Sequence, residues 1–254
     1  MINYIVALYV GQRGNGAVSS LTKDPTYMAK RHLDLLSSLS VPLIKKATFV
    51  ISPSPSHEED LRALEFIQEN KVSLNEIEVD AFIGQNNHNH SYGSWNFAMN
   101  KHINDGMDFF LIEDDYFPSR DEFYMPFIEK MNDRIAYVSQ LYTHNREQRK
   151  HAAISNGLMN YVAAKKHHEE FGNSISIEIP NKKPYDVGVY TQLNFLKGYE
   201  GIGYRMDDVS EKYCHPFLQR SNKITIYGNV KGETLIEPVF YEDRIRSTYK
   251  VLSM

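Results

Sequence analysis

The chain contains 254 residues, of which 42% are hydrophobic and 24% charged, and its formal net charge is −4. This composition fits a globular protein with a sizeable core, and the charge gives no global attraction to nucleic acid or anionic membranes. A single cysteine, Cys214, excludes an intrachain disulfide and a cysteine-rich zinc site. No stretch approaches the roughly 20 apolar residues that cross a bilayer, and no signal peptide is recognisable. We therefore expect a soluble cytoplasmic protein with no transmembrane segment and no nucleic-acid partner.

The first half of the chain alternates predicted strands and helices. Short apolar runs predict strands at residues 4–10, 47–51, 77–83 and 109–112. The first helix is predicted to begin at Pro25 with Asp24 as its N-cap, and the second to begin with a capping box from Ser56 to Glu59. A third helix is predicted from Ser91. This repetition indicates a mostly parallel sheet with helices on its faces.

Three consecutive carboxylates follow the fourth strand. Glu113, Asp114 and Asp115 come directly after the apolar run at residues 109–112. Carboxylates repel one another, and they are poorly tolerated at the end of a buried strand unless a cation neutralises them. Hard divalent cations such as Mg²⁺ or Mn²⁺ prefer oxygen ligands of this kind. The sequence therefore predicts a metal site here, and the alternative is an acidic turn that faces water.

The second half has shorter predicted elements and no repeat or linker, so we expect a single domain. A capping box from Ser119 to Glu122 predicts a helix over residues 119–131, and Gly198 is expected to end a helix that follows Asp186. Gly157 interrupts a predicted strand at residues 152–158, where a ligand could approach the backbone. Residues 143–151, which include Arg146, Arg149 and Lys150, form either a solvated connection or a flap that contacts phosphate.

In this order the motifs resemble those of the GT-A glycosyltransferases, particularly the family 2-like enzymes, across residues 3–217. Residues 87–98 look like the Asn- and Gly-containing stretch of these enzymes, residues 113–115 resemble their DxD motif, and Tyr185-Asp186 resembles their Glu-Asp block. Tyr185 stands where that block has glutamate. These enzymes usually have an aspartate at the end of the second strand. This sequence has none there, so it does not indicate the nucleobase of the donor.

The resemblance implies an α/β, GT-A (Rossmann-like) single domain whose mixed, mostly parallel central sheet is flanked by helices. It further implies that residues 1–118 form a nucleotide-sugar-binding half and residues 119–254 an acceptor-binding half. The implied activity is metal-dependent transfer of a sugar from a UDP or GDP sugar to a glycan or other hydroxyl acceptor, as in polysaccharide or glycan biosynthesis.

The resemblance also implies roles for particular residues. Mn²⁺ or Mg²⁺ would be held by Asp115, Glu113 and His215, although His215 could instead be a packed histidine. Asp186 is implied as the general base of an inverting transfer, with Asp207 or Asp208 as substitutes, although Asp186 could simply cap its helix. The residues expected at the nucleotide sugar are Val10, Gly11, Arg13, Asn87, Tyr92, Trp95, Asn96, Glu113 and Asp114. Trp95 also fits a core position at helical spacing.

Two other functions stay open. Residues 11–23 are similar to the glycine-rich signature of sugar-nucleotide pyrophosphorylases, with which the predicted sheet would be shared. A non-catalytic nucleotide- or carbohydrate-binding protein on the same fold is the second alternative. A homodimer is compatible with either of these and with the transferase.

Overall fold

The structure is a computed structural model. It describes residues 1–11, 24–71, 74, 76–85, 89–118, 120–144, 150–176, 194–209, 218–220, 225–230 and 233–237. Among these residues, no helix is both long enough and apolar enough to cross a bilayer.

Eleven strands and six helices are labelled here in chain order within the described residues. The strands are β1 (Ile2–Leu8), β2 (Ile44–Ile51), β3 (Glu78–Ile83), β4 (Asp108–Glu113), β5 (Tyr116–Pro118), β6 (Ile135–His144), β7 (Lys150–Met159), β8 (Arg205–Asp208), β9 (Leu218–Arg220), β10 (Thr225–Val230) and β11 (Glu233–Glu237). The helices are α1 (Tyr27–Ser38), α2 (His57–Asn70), α3 (His90–Lys101), α4 (Met125–Lys130), α5 (Tyr161–Phe171) and α6 (Lys197–Gly201).

Seven strands form one mixed sheet in the order β3-β2-β1-β4-β7-β6-β8. The first four of these strands are parallel to one another, β7 is antiparallel to both of its neighbours, and β8 is parallel to β6. Two further pairs, β5 with β9 and β10 with β11, are antiparallel. The mixed, mostly parallel sheet confirms the α/β architecture expected from the sequence.

A hydrophobic core lies on each face of the sheet. One core packs α1, α2 and α4 against side chains such as Tyr4 and Phe110. The other packs α3 and α5 against alternate residues of the same strands, such as Ile5 and Leu111. Because successive strand side chains point to opposite faces, the continuous apolar runs of β1 and β4 supply both cores.

Ser56 is confirmed as the N-cap of α2, and the start of α1 differs from the prediction. The Ser56 hydroxyl accepts a hydrogen bond from the Glu59 backbone N–H at the start of α2. By contrast, α1 begins at Tyr27 rather than at Pro25. The Asp24 carboxylate accepts hydrogen bonds from the backbone N–H and the hydroxyl of Thr26 at 2.9 and 2.8 Å. Asp24 therefore stabilises a turn that precedes the helix.

The helix predicted over residues 119–131 is much shorter in the structure. Only Met125–Lys130 is helical, and Pro126 lies in the first turn, where its fixed φ and missing N–H are compatible with a helix. Glu122 has a φ of +47°, a left-handed conformation that a right-handed helix excludes. The capping-box prediction is therefore wrong in its position, and Ser119 lies outside the described residues.

Two predictions for glycines are wrong. A Cβ on Gly157 would lie 2.1 Å from the carbonyl oxygen of Val138, so the neighbouring strand, not a ligand, occupies this space. Gly198 is the second residue of α6 and does not end a helix; a Cβ there would lie 2.1 Å from Nε2 of His167.

The segment at residues 143–151 includes the ends of the β6–β7 hairpin, where His144 pairs with Lys150. Arg146 and Arg149 lie outside the described residues.

Candidate functional site

The order in which the chain builds its sheet reverses at β1. The connections through α1 and α2 lead from β1 to β2 and on to β3, whereas the connection through α3 returns to β4 on the other side of β1. In open α/β sheets, such a reversal leaves a crevice at the carboxyl ends of the two central strands, where ligands bind. β1 ends at Leu8 and β4 at Glu113, so residues 9–11 and 113–115 border this crevice.

Asp114 joins the two sides of the crevice. Its Oδ2 accepts a hydrogen bond of 2.7 Å from the backbone N–H of Tyr9, just beyond β1. Asp114 is 1% exposed and Asp115 is 4% exposed, so both carboxylates are buried at the strand end. An acidic turn that merely faces water would leave them solvated. Both carboxylates are instead buried, and the backbone after β1 donates a hydrogen bond to Asp114, as is typical of a ligand-binding site.

A buried histidine on α1 holds the turn that carries these carboxylates. Nε2 of His32 lies 3.1 Å from the carbonyl oxygen of Asp114, and Nδ1 lies 2.9 Å from the hydroxyl of Tyr4. A carbonyl oxygen can only accept, so Nε2 carries the proton and Nδ1 accepts the Tyr4 hydroxyl hydrogen. The chain of hydrogen bonds thus runs from Tyr4 on β1 through His32 to the turn after β4.

His32 is neutral in this environment. Burial lowers its pKa to about 3, because the imidazolium form would be desolvated, and the hydrogen bond to Asp114 offsets only part of this effect. The ring also packs against Phe117, with 4.8 Å between the ring centroids. His32 therefore orients the carboxylate turn without contributing charge to it.

Glu113 is positioned from two other elements. Ser91, at the start of α3, donates its hydroxyl hydrogen to Oε1 of Glu113 at 3.0 Å. The backbone N–H of Glu113 donates to Oδ1 of Asn156 on β7 at 2.8 Å. Nδ2 of Asn156 is buried and has no hydrogen-bond partner within the described structure. The site therefore contains an amide donor for which the described protein supplies no acceptor.

The three predicted nucleotide-sugar residues on α3 have different surroundings. Trp95 is fully buried, and its indole N–H donates to the carbonyl oxygen of Ile112 at 3.2 Å. Tyr92 is 5% exposed and packs edge-on against Trp95. Asn96 is half-buried, and its Oδ1 accepts hydrogen bonds from the backbone N–H groups of Ser174 and Ile175. Tyr92 and Trp95 thus support the floor beneath the strand end.

The remaining predicted site residues are only partly described. Val10 and Gly11 follow β1 at the crevice, and a Cβ on Gly11 would lie 2.6 Å from the hydroxyl oxygen of Tyr9. Four predicted site residues lie outside the described residues: Arg13, Asn87, Asp186 and His215.

Asp207 and Asp208, the substitute bases, end β8 at the same edge of the sheet as the crevice. β8 is parallel to β6, which runs in the same direction as β4 because both are antiparallel to β7. Three strand spacings separate β4 from β8 in the sheet, or about 14 Å. This distance leaves room for a sugar-sized ligand between the two acidic strand ends.

The chemistry of the crevice fits a divalent cation, although the described residues do not complete a set of ligands. No group of three or more His, Cys, Asp or Glu side chains within the described ranges could hold a metal ion. Asp114 is directed to Tyr9 and Glu113 to Ser91, so the three carboxylates do not converge. Mg²⁺ is commonly held by one or two carboxylates together with substrate phosphates, and Asp115 with Glu113 would supply such a set.

Sequence reasoning missed several residues that shape this site. His32, Tyr4 and Asn156 carry no local motif, and they reach the strand end only through the tertiary fold. Asp60 on α2 was also missed. Its buried carboxylate accepts a hydrogen bond of 3.0 Å from the backbone N–H of Ser54, just after β2. The fold therefore places an aspartate near the end of the second strand, although the strand itself ends without one.

The sheet and the crevice define a mixed α/β protein whose architecture is consistent with a GT-A-like fold. No protein-family model matches the chain, and no curated protein matches it. Among solved structures, S. aureus TarS, a glycosyltransferase, matches with a TM-score of 0.47 and 14% sequence identity. The match covers 83% of this chain and 35% of that chain, so this chain spans about a third of the length of that structure. The likeness concerns the course of the chain alone.

Proposed function

We propose that the chain is a metal-dependent glycosyltransferase that moves a sugar from a UDP or GDP sugar to a hydroxyl group of a glycan or other acceptor. The observation that carries this proposal is the pair of buried carboxylates, Asp114 and Asp115, at the point where the sheet order reverses. The resemblance of residues 113–115 to the DxD motif points to the same position. The amide donor of Asn156 adds a group suited to the oxygen atoms of a sugar or a phosphate.

Each described residue of the crevice has a defined task in this proposal. Asp114 fixes the backbone after β1, against which the nucleotide would lie. Ser91 holds the carboxylate of Glu113 and Asn156 holds its backbone N–H, and Glu113 and Asp115 are the residues that would bind Mn²⁺ or Mg²⁺. Negative charge develops on the β-phosphate as the sugar leaves, and a bound divalent ion supplies Lewis-acid stabilisation of that charge.

The acceptor side of the proposal rests on the resemblance. In an inverting transfer, the acceptor hydroxyl attacks opposite the leaving group and needs a general base to take its proton. We assign this task to Asp186, with His215 as a further ligand of the metal. Asp207 and Asp208, which reach the same edge of the sheet on β8, are the substitutes for Asp186.

The proposal is tested by measuring nucleoside diphosphate release from UDP and GDP sugars with Mn²⁺, with and without added acceptors. We expect one donor to be consumed and its sugar to appear on the acceptor. Asp186→Asn is expected to abolish transfer while nucleotide binding persists, and Asp133→Asn, in an exposed turn, is the matched control. If pyrophosphate exchange with a triphosphate and a sugar phosphate occurred instead, the chain would be a pyrophosphorylase. Binding of the donor without any turnover would indicate a binding protein.

A further inference from the structure

A polar cleft runs along the outward face of α3, away from the buried carboxylates. It has a volume of about 680 Å³, which lies in the usual range of ligand sites. The cleft begins at Gly84 and Gln85, just after β3, and continues along α3 to Asn100 and Asn173. One of its ends therefore lies at the same edge of the sheet as the crevice between β1 and β4.

Side-chain amides dominate the walls of this cleft. Oδ1 of Asn96 and Oδ1 of Asn100 both accept hydrogen bonds from the loop at Ser174. These hydrogen bonds fix the orientation of each amide, and no hydrogen bond of either Nδ2 is described. Oδ1 of Asn173 is buried and has no hydrogen-bond partner within the described structure. The cleft thus presents amide donors whose orientation the protein fixes.

The charge of the cleft favours a neutral ligand. Its described lining residues include no carboxylate, and the one cation, Lys101, already pairs with Asp80 at 2.8 Å. Phe97 contributes a partly exposed aromatic ring, held edge-on by Phe82. Amide donors and acceptors beside an aromatic ring suit a molecule that has hydroxyl groups on its edges and C–H groups on its faces.

A glycine near the start of α3 also lines the cleft. Gly93 has helical neighbours on both sides, where alanine would be favoured by about 1 kcal/mol. A Cβ at this position would lie 3.3 Å from the Cβ of Asn89, a tight contact that a small shift of Asn89 would relieve, and no other side chain of the described residues lies within 4 Å. The missing side chain leaves the floor of the cleft open to a ligand.

We propose that this cleft binds a neutral saccharide chain, namely the acceptor glycan that leads away from the transfer site. The proposal rests on the proposed function, since it names the acceptor class of that reaction. Asn100 lies eleven positions after Asn89, a rise of about 17 Å, which accommodates about three pyranose rings. Affinity is therefore expected to increase with chain length up to about three sugar residues and then to level off.

The test uses native electrophoresis in gels that contain soluble neutral polysaccharides of glucose, galactose, mannose or N-acetylglucosamine, with a carboxymethylated polysaccharide as the anionic comparison. We expect at least one neutral polymer to retard the protein and the anionic polymer to bind no better. Asn100→Asp keeps the Oδ1 that holds Ser174 and removes the amide donor, so it should weaken retardation about tenfold. Asn104→Asp adds the same charge just beyond α3, outside the cleft, and should change nothing.

Gly93→Ala separates binding from folding. The added methyl group should weaken retardation by the polysaccharide, while the melting temperature changes by no more than about 2 °C in either direction. No retardation by any neutral polymer, or equal effects of Asn100→Asp and Asn104→Asp, would overturn the proposal. Nucleotide binding is measured in parallel. Binding of nucleotide without polysaccharide rejects only the cleft proposal, and binding of polysaccharide without nucleotide rejects the transferase.

Discussion

At the scale of individual residues, hydrogen bonds hold the turn that carries Asp114 and Asp115. The most consequential is the chain from Tyr4 through His32 to the carbonyl oxygen of Asp114, because all of its polar atoms are buried. Loss of one partner would leave the other without compensation for its lost hydration, which costs more than the net value of the bond. The same turn carries Asp115, so its position depends on residues distant in sequence.

Tyr4→Phe tests this chain directly. The substitution removes the hydroxyl that donates to Nδ1 of His32 and leaves that buried nitrogen without a partner. We expect the free energy of unfolding to fall by about 1–3 kcal/mol, measured by urea denaturation. Tyr27→Phe is the matched control, since the Tyr27 ring packs at the margin of the core and no hydrogen bond of its hydroxyl is described. Equal losses in the two variants would show that the Tyr4 hydroxyl contributes nothing.

The pKa of His32 predicts sensitivity to acid. Its pKa is about 3 in the folded protein because of burial, and about 6.5 when unfolded, so the unfolded state binds the proton first as the pH falls. Stability from this group is complete above pH 6.5 and declines by up to about 1.4 kcal/mol per pH unit towards pH 3.

His32→Gln tests the pH dependence, because the glutamine amide can still donate to Asp114 but does not titrate. Urea denaturation between pH 7 and pH 4 should show a shallower decline for this variant than for the wild type. A parallel decline in both proteins would mean that other groups govern acid unfolding. The histidines His102 and His167, whose pKa values burial also lowers, are present in both proteins and cancel in the comparison.

At the scale of elements, the close approach of the β6 and β7 backbones leaves no room for a side chain at Gly157. Gly157→Ala would place a methyl group 2.1 Å from the carbonyl oxygen of Val138, which belongs to the backbone and cannot rotate away. We expect a loss of about 3 kcal/mol or more in the free energy of unfolding. Gly201→Ala, in α6 with no atom within 4 Å of the new Cβ, should be neutral or slightly stabilising. Thermal melts of both variants check this contrast, which would fail if Gly157→Ala melted like the wild type.

Elements with a strong local signal were predictable from the sequence. The apolar runs of β1 and β4 and the Ser56 capping box each contain in a few residues the pattern that the structure uses. The prediction of a helix from Ser119 is wrong because Pro126, rather than the capping-box pattern at Ser119, marks the first turn of α4. The prediction of Asp24 as the N-cap of α1 is also wrong, since its carboxylate caps a turn just before that helix.

The carboxylates of the site could also be predicted, but not the side chains that hold them. Glu113, Asp114 and Asp115 stand beside their strand in the sequence, so their place at its end follows from local pattern. His32 lies 82 residues from Asp114, and Asn156 lies 43 residues from Glu113. Such contacts depend on how the crossovers pack, and no spacing along the chain encodes them.

The order of strands in the whole molecule decides where a ligand can bind. The reversal at β1 puts the carboxylate turn in the crevice, and the direction of β8, parallel to β6, puts Asp207 and Asp208 at the same end of the sheet. The cleft along α3 opens towards that end as well. The proposed donor crevice, acceptor cleft and substitute bases therefore occupy separate places along one edge, as transfer between two substrates requires.

The most direct test of the account is the change in melting temperature with UDP, GDP and their sugars, each measured with Mn²⁺, Mg²⁺ or EDTA. A ligand at about one hundred times its dissociation constant stabilises a fold by about 2.7 kcal/mol, or several degrees for a chain of this size. We predict such a shift for one nucleoside diphosphate, and its loss both in EDTA and in Asp115→Asn. If no nucleotide changed the melting temperature with either metal, the crevice would not be a nucleotide-sugar site and the central claim would be wrong.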